Sequence, residues 1–248
     1  MNLDFSFIDH SHLQDIADAI RFVEGSTSSI APSDYPNRIR ALDKYIPDYS
    51  VLNFTMPNGG TISLNKTGSP AVVELEYWLD ENGQWLIWQP DNNGNRSLTL
   101  TAGQRMYVRN TSETQTGFST DTNKYYAFGC SDVLYAGGNI NSLLCKIPQN
   151  IILNSYCFNR LFAGNIYLVS SPILSSEIVP SFGYASIFYG CSSLNTIRTR
   201  MTDISSRYCL QIWVQNVSST GDFYCPAELT IPTGESGIPS NWTRHDLT

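Results

Sequence analysis

The sequence predicts a mainly β protein with short helices: an N-terminal helical segment, an antiparallel Ig-like β-sandwich, and then a short solenoid of repeats. Three observations predict this class. Hydrophobic residues recur at helical spacing near the start of the chain, alternate with polar residues in the middle, and return every 26 residues in the rest. Such repeats are typical of solenoids, in which small units stack to bury apolar side chains that none could bury alone.

Residues 1–48 are predicted to form the helical segment. Ser11 is a suitable N-cap for a first helix that Gly25 ends, and a second short helix follows the Pro32-Ser33-Asp34 sequence. Two short amphipathic helices cannot bury their apolar faces against each other alone, so these faces are expected to dock on a partner. The candidate docking residues are Leu13, Ile16, Ile20, Tyr35 and Ile39.

Residues 49–128 alternate between apolar and polar side chains, as β-strands do. Leu52, Phe54 and Met56 form the first alternating run, and Asn58-Gly59-Gly60 predicts a hairpin turn into a strand over 61–64. Short strands separated by turn residues at this spacing predict a small antiparallel sandwich. The further predicted strands cover residues 73–80, 85–88, 97–100 and 105–109.

Residues 129–230 contain the repeat, and residues 231–248 are predicted to cap it. Copies begin at Ile152, Ile178 and Ile204 and follow the pattern Ile-x3-aromatic-x4-Leu/Ile-Phe-x-Gly-x3-Leu, which decays in the third copy. Neighbouring copies must cover the apolar ridge of each unit. The predicted repeat core consists of Phe162, Leu168, Phe188, Leu194 and Trp213.

These copies resemble the BspA-like type of leucine-rich repeat, whose hallmark is Phe-x-Gly-Cys-x-Ser-Leu. Phe188-Tyr189-Gly190-Cys191-Ser192-Ser193-Leu194 matches it almost fully, whereas the preceding copy has Asn165-Ile166-Tyr167 in place of Cys-x-Ser. The ending over 233–243 is similar to the segment that follows such repeats in proteins of Bacteroides-type gut bacteria and their phages. The resemblance implies a leucine-rich-repeat solenoid, and it extends over residues 50–248.

The N-terminal segment resembles a different family. Ala17-Asp18-Ala19-Ile20-Arg21, Gly25-Ser26-Thr27 and Pro32-Ser33-Asp34-Tyr35-Pro36 are similar to an element that recurs in phage tail and baseplate appendage proteins. The resemblance implies that residues 1–48 bind other virion proteins or oligomerise, with a homotrimer favoured. It also implies a virion protein that is assembled in the host cytoplasm.

Together these resemblances lead us to expect a tail, baseplate or fibre adhesin that binds a host surface glycan or protein. Two alternatives stay open. One is a bacterial cell-surface leucine-rich-repeat protein, and the other is a capsid or tail decoration protein that binds no host.

Composition and charge exclude several other classes. Only 15% of the 248 residues are charged, the net charge is -7, and Lys and Arg form no cluster, so nucleic acid is not an expected partner. No apolar run is long enough to cross a bilayer, so membrane insertion is not expected. The first residues lack the basic region of an export signal. The six cysteines lack metal-ligand spacing and are expected to be reduced thiols.

The candidates for site chemistry are few. His10 and His12 are interpreted as solvated rather than metal-bound, and no cofactor or metal is expected. Glu74 and Glu76 share a predicted strand face, but an open sheet holds alternate side chains about 7 Å apart in solvent, so no catalytic pair is predicted. Trp78 lies beside Glu76 on that polar face. The two are the candidate glycan contact, with burial of Trp78 against a domain or subunit as the alternative.

Overall fold

The computed structural model describes residues 51–79, 84–148 and 151–247, which belong to one compact unit, Tyr49–Thr248. This part is mainly β, with a β-solenoid-like region of about three turns. A 3₁₀ helix spans Ile140–Leu143. The strands described are β1 (Leu52–Thr55), β2 (Gly60–Thr67), β3 (Leu75–Leu79), β4 (Leu86–Ile87), β5 (Arg96–Leu100), β6 (Arg105–Asn110), β7 (Tyr125–Cys130), β8 (Leu134–Gly137), β9 (Leu168–Leu174), β10 (Thr196–Thr199), β11 (Gly221–Pro226) and β12 (Trp242–Leu247).

The strands described form two sheets. One has the order β12-β11-β10-β9-β8-β1-β6-β3-β4, and the other has the order β5-β2-β7. In the first sheet the neighbouring strands β8, β1, β6, β3 and β4 pair antiparallel. The neighbouring strands β8, β9, β10, β11 and β12 pair parallel. β8 therefore joins an antiparallel part to the solenoid within a single sheet.

The predicted hairpin between the first two strands is wrong. β2 follows the Asn58-Gly59-Gly60 turn, but it pairs with β5 and β7, while β1 pairs with β6 and β8 in the other sheet. Gly60 has a φ of 133°, and a Cβ there would lie 2.8 Å from Cε of Met56. Only glycine fits this crossing, which carries the chain between the sheets. β3 to β6 lie where the alternation predicted strands.

A row of aromatic rings, the aromatic spine, runs through the core of both parts. Centroids lie 4.9 Å apart for Phe54 and Phe128, 5.3 Å for Phe128 and Phe162, 5.8 Å for Phe162 and Phe188, and 6.2 Å for Phe188 and Trp213. These separations suit favourable aromatic contacts. The spine passes from β1 and β7 into the coils without a break, so the two parts share one buried cluster.

The residues predicted for the repeat core all lie in this cluster. Phe162 and Phe188 are spine rings, and the two leucines come 6 residues after them, where each coil enters its parallel strand region. All five predicted core residues are fully buried: Phe162, Leu168, Phe188, Leu194 and Trp213.

Backbone hydrogen bonds also join neighbouring coils. Alternate N–H groups donate to the next coil, as from Phe158 to the Gly183 carbonyl at 3.0 Å. The intervening groups donate within their own coil, as from Leu161 to the Phe158 carbonyl at 3.2 Å. This alternation uses left-handed backbone at regular intervals, with φ of 64° at Tyr156 and 77° at Gly164. Such geometry costs about 1–3 kcal/mol at a non-glycine residue, so the bonds on both sides must hold it in place.

One repeat position ties the first two coils to the layer before them through a side chain. Cys191 donates from Sγ to the Phe162 carbonyl at 3.0 Å. Asn165 occupies the same place in the preceding copy, and its Nδ2 donates to the Phe128 carbonyl at 3.5 Å. The departure from the Cys-x-Ser hallmark in this copy therefore keeps the hydrogen bond with a different donor. In the third copy Val217 lacks a side-chain donor.

The far end of the solenoid is closed by the C-terminal residues. Trp213 donates from Nε1 to the Gly237 carbonyl at 2.9 Å, and the Ile212 amide donates to Oγ of Ser236 at 3.0 Å. β12 then pairs in parallel with β11, and the buried ring of Trp242 donates to the Ser218 carbonyl at 2.8 Å. The apolar end of the third coil is thus covered by its own chain.

We expect Phe162→Ala to lower the free energy of unfolding by about 3–5 kcal/mol, because it removes a fully buried ring between two others. Urea denaturation followed by tryptophan fluorescence and by circular dichroism measures this loss. The control is Tyr189→Ala in the next coil, where the side chain is 37% exposed. Both probes should report one transition, since the spine is shared. Two separated transitions would contradict a common core.

Two buried thiols provide a test at alkaline pH. Burial raises the pKa of Cys157 and Cys191 to about 12 from an ordinary 9.0. At pH 8 the folded protein should therefore be alkylated at these residues on the order of a thousandfold more slowly than the chain in urea. Mass spectrometry of iodoacetamide-treated protein measures both rates, and similar rates would contradict the burial.

The sign of the linked pH effect follows from the raised pKa. Below pH 9.0 both thiols are protonated in the folded and the unfolded chain, so their contribution to stability is fully present. As the pH rises toward about 12, the unfolded chain loses these protons first, and this contribution is lost.

Candidate functional site

Trp78, one half of the candidate glycan contact, is buried. Its side chain is 2% exposed and packs with Val51 and Tyr107, and its ring centroid lies 5.9 Å from that of Trp85. Of the two interpretations of Trp78, the structure favours burial, because this face of β3 carries a small apolar cluster of its own. An indole covered in this way cannot stack on a sugar ring.

Glu76, the other half, forms an ion pair. Arg109 lies directly opposite on β6 and donates from Nε to Oε1 of Glu76 at 2.6 Å. The guanidinium carbon also lies 3.8 Å from the Trp85 ring centroid, as in a cation–π contact. Glu74 accepts a hydrogen bond from Oγ1 of Thr111 at 2.9 Å. Glu76 is therefore held by an ion pair within the sheet, whereas Glu74 lies exposed just before β3.

The candidate docking residues lie outside the described residues, and so do His10 and His12. The interactions predicted for them stay predictions. The residues concerned are Leu13, Ile16, Ile20, Tyr35 and Ile39.

A surface that the sequence analysis missed runs along the solenoid. It consists of repeated apolar side chains, three of them exposed and two half-buried, and we call it the repeat stripe. The Ile152 side chain is 80% exposed, that of Ile178 64% and that of Tyr208 44%. Ring centroids of Tyr156 and Phe182 lie 4.7 Å apart with an interplanar angle of 7°, and those of Phe182 and Tyr208 lie 5.2 Å apart. The stripe comprises Ile152, Tyr156, Ile178, Phe182 and Tyr208.

Two stripe residues also line a groove of about 780 Å³, which we call the isoleucine groove. Its apolar lining includes Ile152 and Ile178. Its polar lining includes the buried pair Asn141 and Ser176, in which Nδ2 of the amide donates to Oγ at 3.1 Å, and Arg200. The groove can therefore accept a ligand that carries both apolar and polar groups.

A second concavity lies at the start of the parallel strands, and we call it the polar pocket. Its volume is about 520 Å³, and every side chain that lines it is polar. It lies where β10, β11 and β12 begin, because parallel strands start at the same edge of a sheet. The lining residues are Asn195, Ser218, Thr220, Gly221, Asp222, Asn241 and Thr243.

Two stacked rings lie next to the polar pocket. Tyr224 on β11 and His245 on β12 are paired in register, with centroids 4.6 Å apart and an interplanar angle of 15°. Nε2 of His245 lies 2.7 Å from Oδ1 of Asp222, so the rings and the pocket share a side chain. Arg198 lies over the other side of Tyr224, with its guanidinium carbon 5.1 Å from the ring centroid.

The repeat period contained a partial signal for these sites. It aligns Ile152 with Ile178 and Asn195 with Gly221. It does not tell which face of a coil points outward, because the coil backbone between the strands follows neither helical nor strand periodicity. The exposed isoleucines and the pocket at the strand starts therefore needed the three-dimensional path of the chain.

Comparisons with protein-family models, with curated proteins and with solved structures found no match. Within residues 51–79, 84–148 and 151–247, no helix is long and apolar enough to span a membrane. In the same part of the chain, no three His, Cys, Asp or Glu side chains are grouped so as to hold a metal ion.

We expect Glu76→Gln to destabilise the protein by about 2 kcal/mol, because it removes one charge-assisted hydrogen bond to the buried Arg109 guanidinium. Thermal and urea unfolding measure the loss. Glu74→Gln is the control, since the Glu74 side chain is exposed and should change stability by less than about 0.5 kcal/mol. Equal stability of the two variants would contradict the structural role of the ion pair.

Proposed function

We propose that this protein is a phage virion appendage, a tail, baseplate or fibre component that attaches to the host cell surface by binding and not by catalysis. The observation that carries the binding role is the repeat stripe. Ile152 and Ile178 occupy the same place in two successive coils and are both exposed, although a folded chain gains by burying such side chains. An interaction surface explains this exposure.

The assignment to a virion rests on the resemblance of residues 1–48 to a docking element of phage appendage proteins. In this proposal the segment forms helices that bind other virion proteins, and a homotrimer brings several stripes to one particle. We also propose that residues 49–128 are an Ig-like sandwich, which the solenoid follows along the chain. Many weak contacts multiplied by copy number then give a high avidity, even if each affinity is low.

The location is tested by peptide mass spectrometry of density-purified virions beside envelope fractions of the uninfected host. We expect stoichiometric peptides of this chain in virions alone. Peptides in the host envelope instead would contradict the proposal and favour the bacterial cell-surface alternative.

The binding role is tested with Ile152→Ser/Ile178→Ser, which removes exposed apolar surface and leaves the core intact. We expect binding of the labelled full-length protein to host cells to fall roughly tenfold or more, as loss of central apolar contacts does at other interfaces. Flow cytometry measures the bound fraction.

The matched control is Val72→Ser, since Val72 is 94% exposed and lies outside the stripe. This variant should bind host cells as the unaltered protein does. Virions that contain the protein, together with host binding that neither variant changes, would contradict the role of the stripe. Wild-type protein that binds no host cell would favour the decoration-protein alternative.

A further inference from the structure

We infer that the polar pocket binds a neutral saccharide. This inference rests on the proposed function and deepens it, since it names the class of surface ligand that the solenoid recognises. It is carried by side chains other than those of the repeat stripe.

The first observation is that successive strands supply equivalent polar groups. Asn195 immediately precedes β10, Thr220 immediately precedes β11, and Asn241 immediately precedes β12. Because these strands pair in parallel, the three side chains come together at one edge of the sheet. A carboxamide and a hydroxyl can each donate and accept hydrogen bonds. The strand starts thus form an array of mixed donors and acceptors.

The second observation is a floor that the backbone makes rigid. The Asp222 amide donates to the Asn195 carbonyl at 2.8 Å, and the Trp242 indole donates to the Ser218 carbonyl at 2.8 Å. A Cβ at Gly221 would lie 2.3 Å from the Asn195 carbonyl oxygen and 2.8 Å from the Trp242 ring. Position 221 therefore has no room for a side chain, and its backbone packs closely on the Asn195 carbonyl and the Trp242 ring.

The third observation is that these polar groups are not used within the described part of the chain. Among its residues, the side chains of Thr220, Asn241 and Thr243 have no hydrogen-bond partner. Asn195 uses Oδ1 to accept from Oγ1 of Thr196, which leaves its amide group to donate, and Asp222 uses one carboxylate oxygen with His245. The pocket therefore presents several donors and acceptors to a ligand.

The chemistry of the lining selects the ligand class. Among the residues that the structure describes, no Lys or Arg lines the pocket, which disfavours a phosphate or sulfate, and one carboxylate is too few for a bound cation. None of these described lining residues has an apolar side chain, which disfavours a lipid or an apolar peptide. The hydroxyl groups of a sugar each donate and accept, which is what carboxamides, hydroxyls and a carboxylate recognise.

The stacked rings extend the site beyond one sugar. Tyr224 and His245 lie two residues beyond Asp222 and Thr243 along their strands, so they are about 7 Å from them on the same face. β12 is the edge strand, and one face of His245 packs on Tyr224. A sugar in the pocket would place the next unit of a chain against this ring pair. An oligosaccharide is therefore expected to bind more tightly than its monosaccharide.

Isothermal titration calorimetry of the full-length protein tests the inference. The probes are neutral hexasaccharides of glucose, mannose, xylose and galactose, the four monosaccharides, and an oligogalacturonate as the acidic comparison. We expect at least one neutral hexasaccharide to bind, and to bind more tightly than its monosaccharide. Binding of none of them, or tighter binding of the oligogalacturonate, would overturn the inference.

Two single variants place the binding in the pocket. Thr220→Val and Asn241→Ala alter exposed side chains on different strands, and each should weaken binding roughly three- to tenfold, as loss of one hydrogen bond does. Thr202→Val is the matched control, an exposed threonine beyond the other end of β10. Pocket variants that bind as the unaltered protein does would overturn the assignment.

The outcomes separate the inference from the proposed function. If no saccharide binds but the protein is found in virions and stripe variants lose host binding, the inference fails and the proposed function stands. If pocket variants lose saccharide binding but the protein is absent from virions, the saccharide site stands and the virion assignment fails.

Discussion

Contact between neighbouring layers is the constraint on which the structure depends, because no single layer can bury its own aromatic ring. Phe128 supplies the ring on which the first coil stacks, and Phe162 does the same for the second. The antiparallel part is thus the surface on which the solenoid is built. At the far end, the Trp213 indole donates to the Gly237 carbonyl of the C-terminal residues that close the solenoid.

The coil backbone follows from the same constraint. A chain that must offer every second N–H group to its neighbour cannot also form a regular helix, which uses all of them internally. Residues with left-handed backbone change the chain direction at regular intervals, so that the intervening N–H groups can bond within the coil. The glycine of the repeat motif has left-handed backbone at Gly164 and Gly190. This conformation explains why the motif has a glycine at that position. Asn216 takes this place in the third copy, and asparagine is among the side chains that tolerate it best.

Much of the fold could be predicted because periodicity reports burial. The 26-residue period predicted the solenoid and its buried core, and the two-residue alternation predicted β3 to β6. Pairing was harder, since Gly59 and Gly60 turn the chain equally well into a hairpin or across to a second sheet. The sequence left two interpretations of Trp78 open because its strand face is polar in sequence. In the structure Arg109 pairs with Glu76, and an apolar cluster of Val51, Trp78 and Tyr107 lies on that face. The polar pocket depends on side chains from three strands, and single-strand patterns do not reveal such sites.

The spine also bears on how such a protein can change in length. Each coil stacks a ring and bonds backbone groups on both of its neighbours in the same way. Gain or loss of one 26-residue unit would therefore leave the contacts with the antiparallel part and with the C-terminal residues intact. Such a change would move the closing segment and the pocket by one strand spacing, about 4.8 Å, without altering the pocket itself. The length of the solenoid and the composition of the polar pocket are therefore independent of each other in this architecture. In-frame recombination between copies would change the length without changing the pocket.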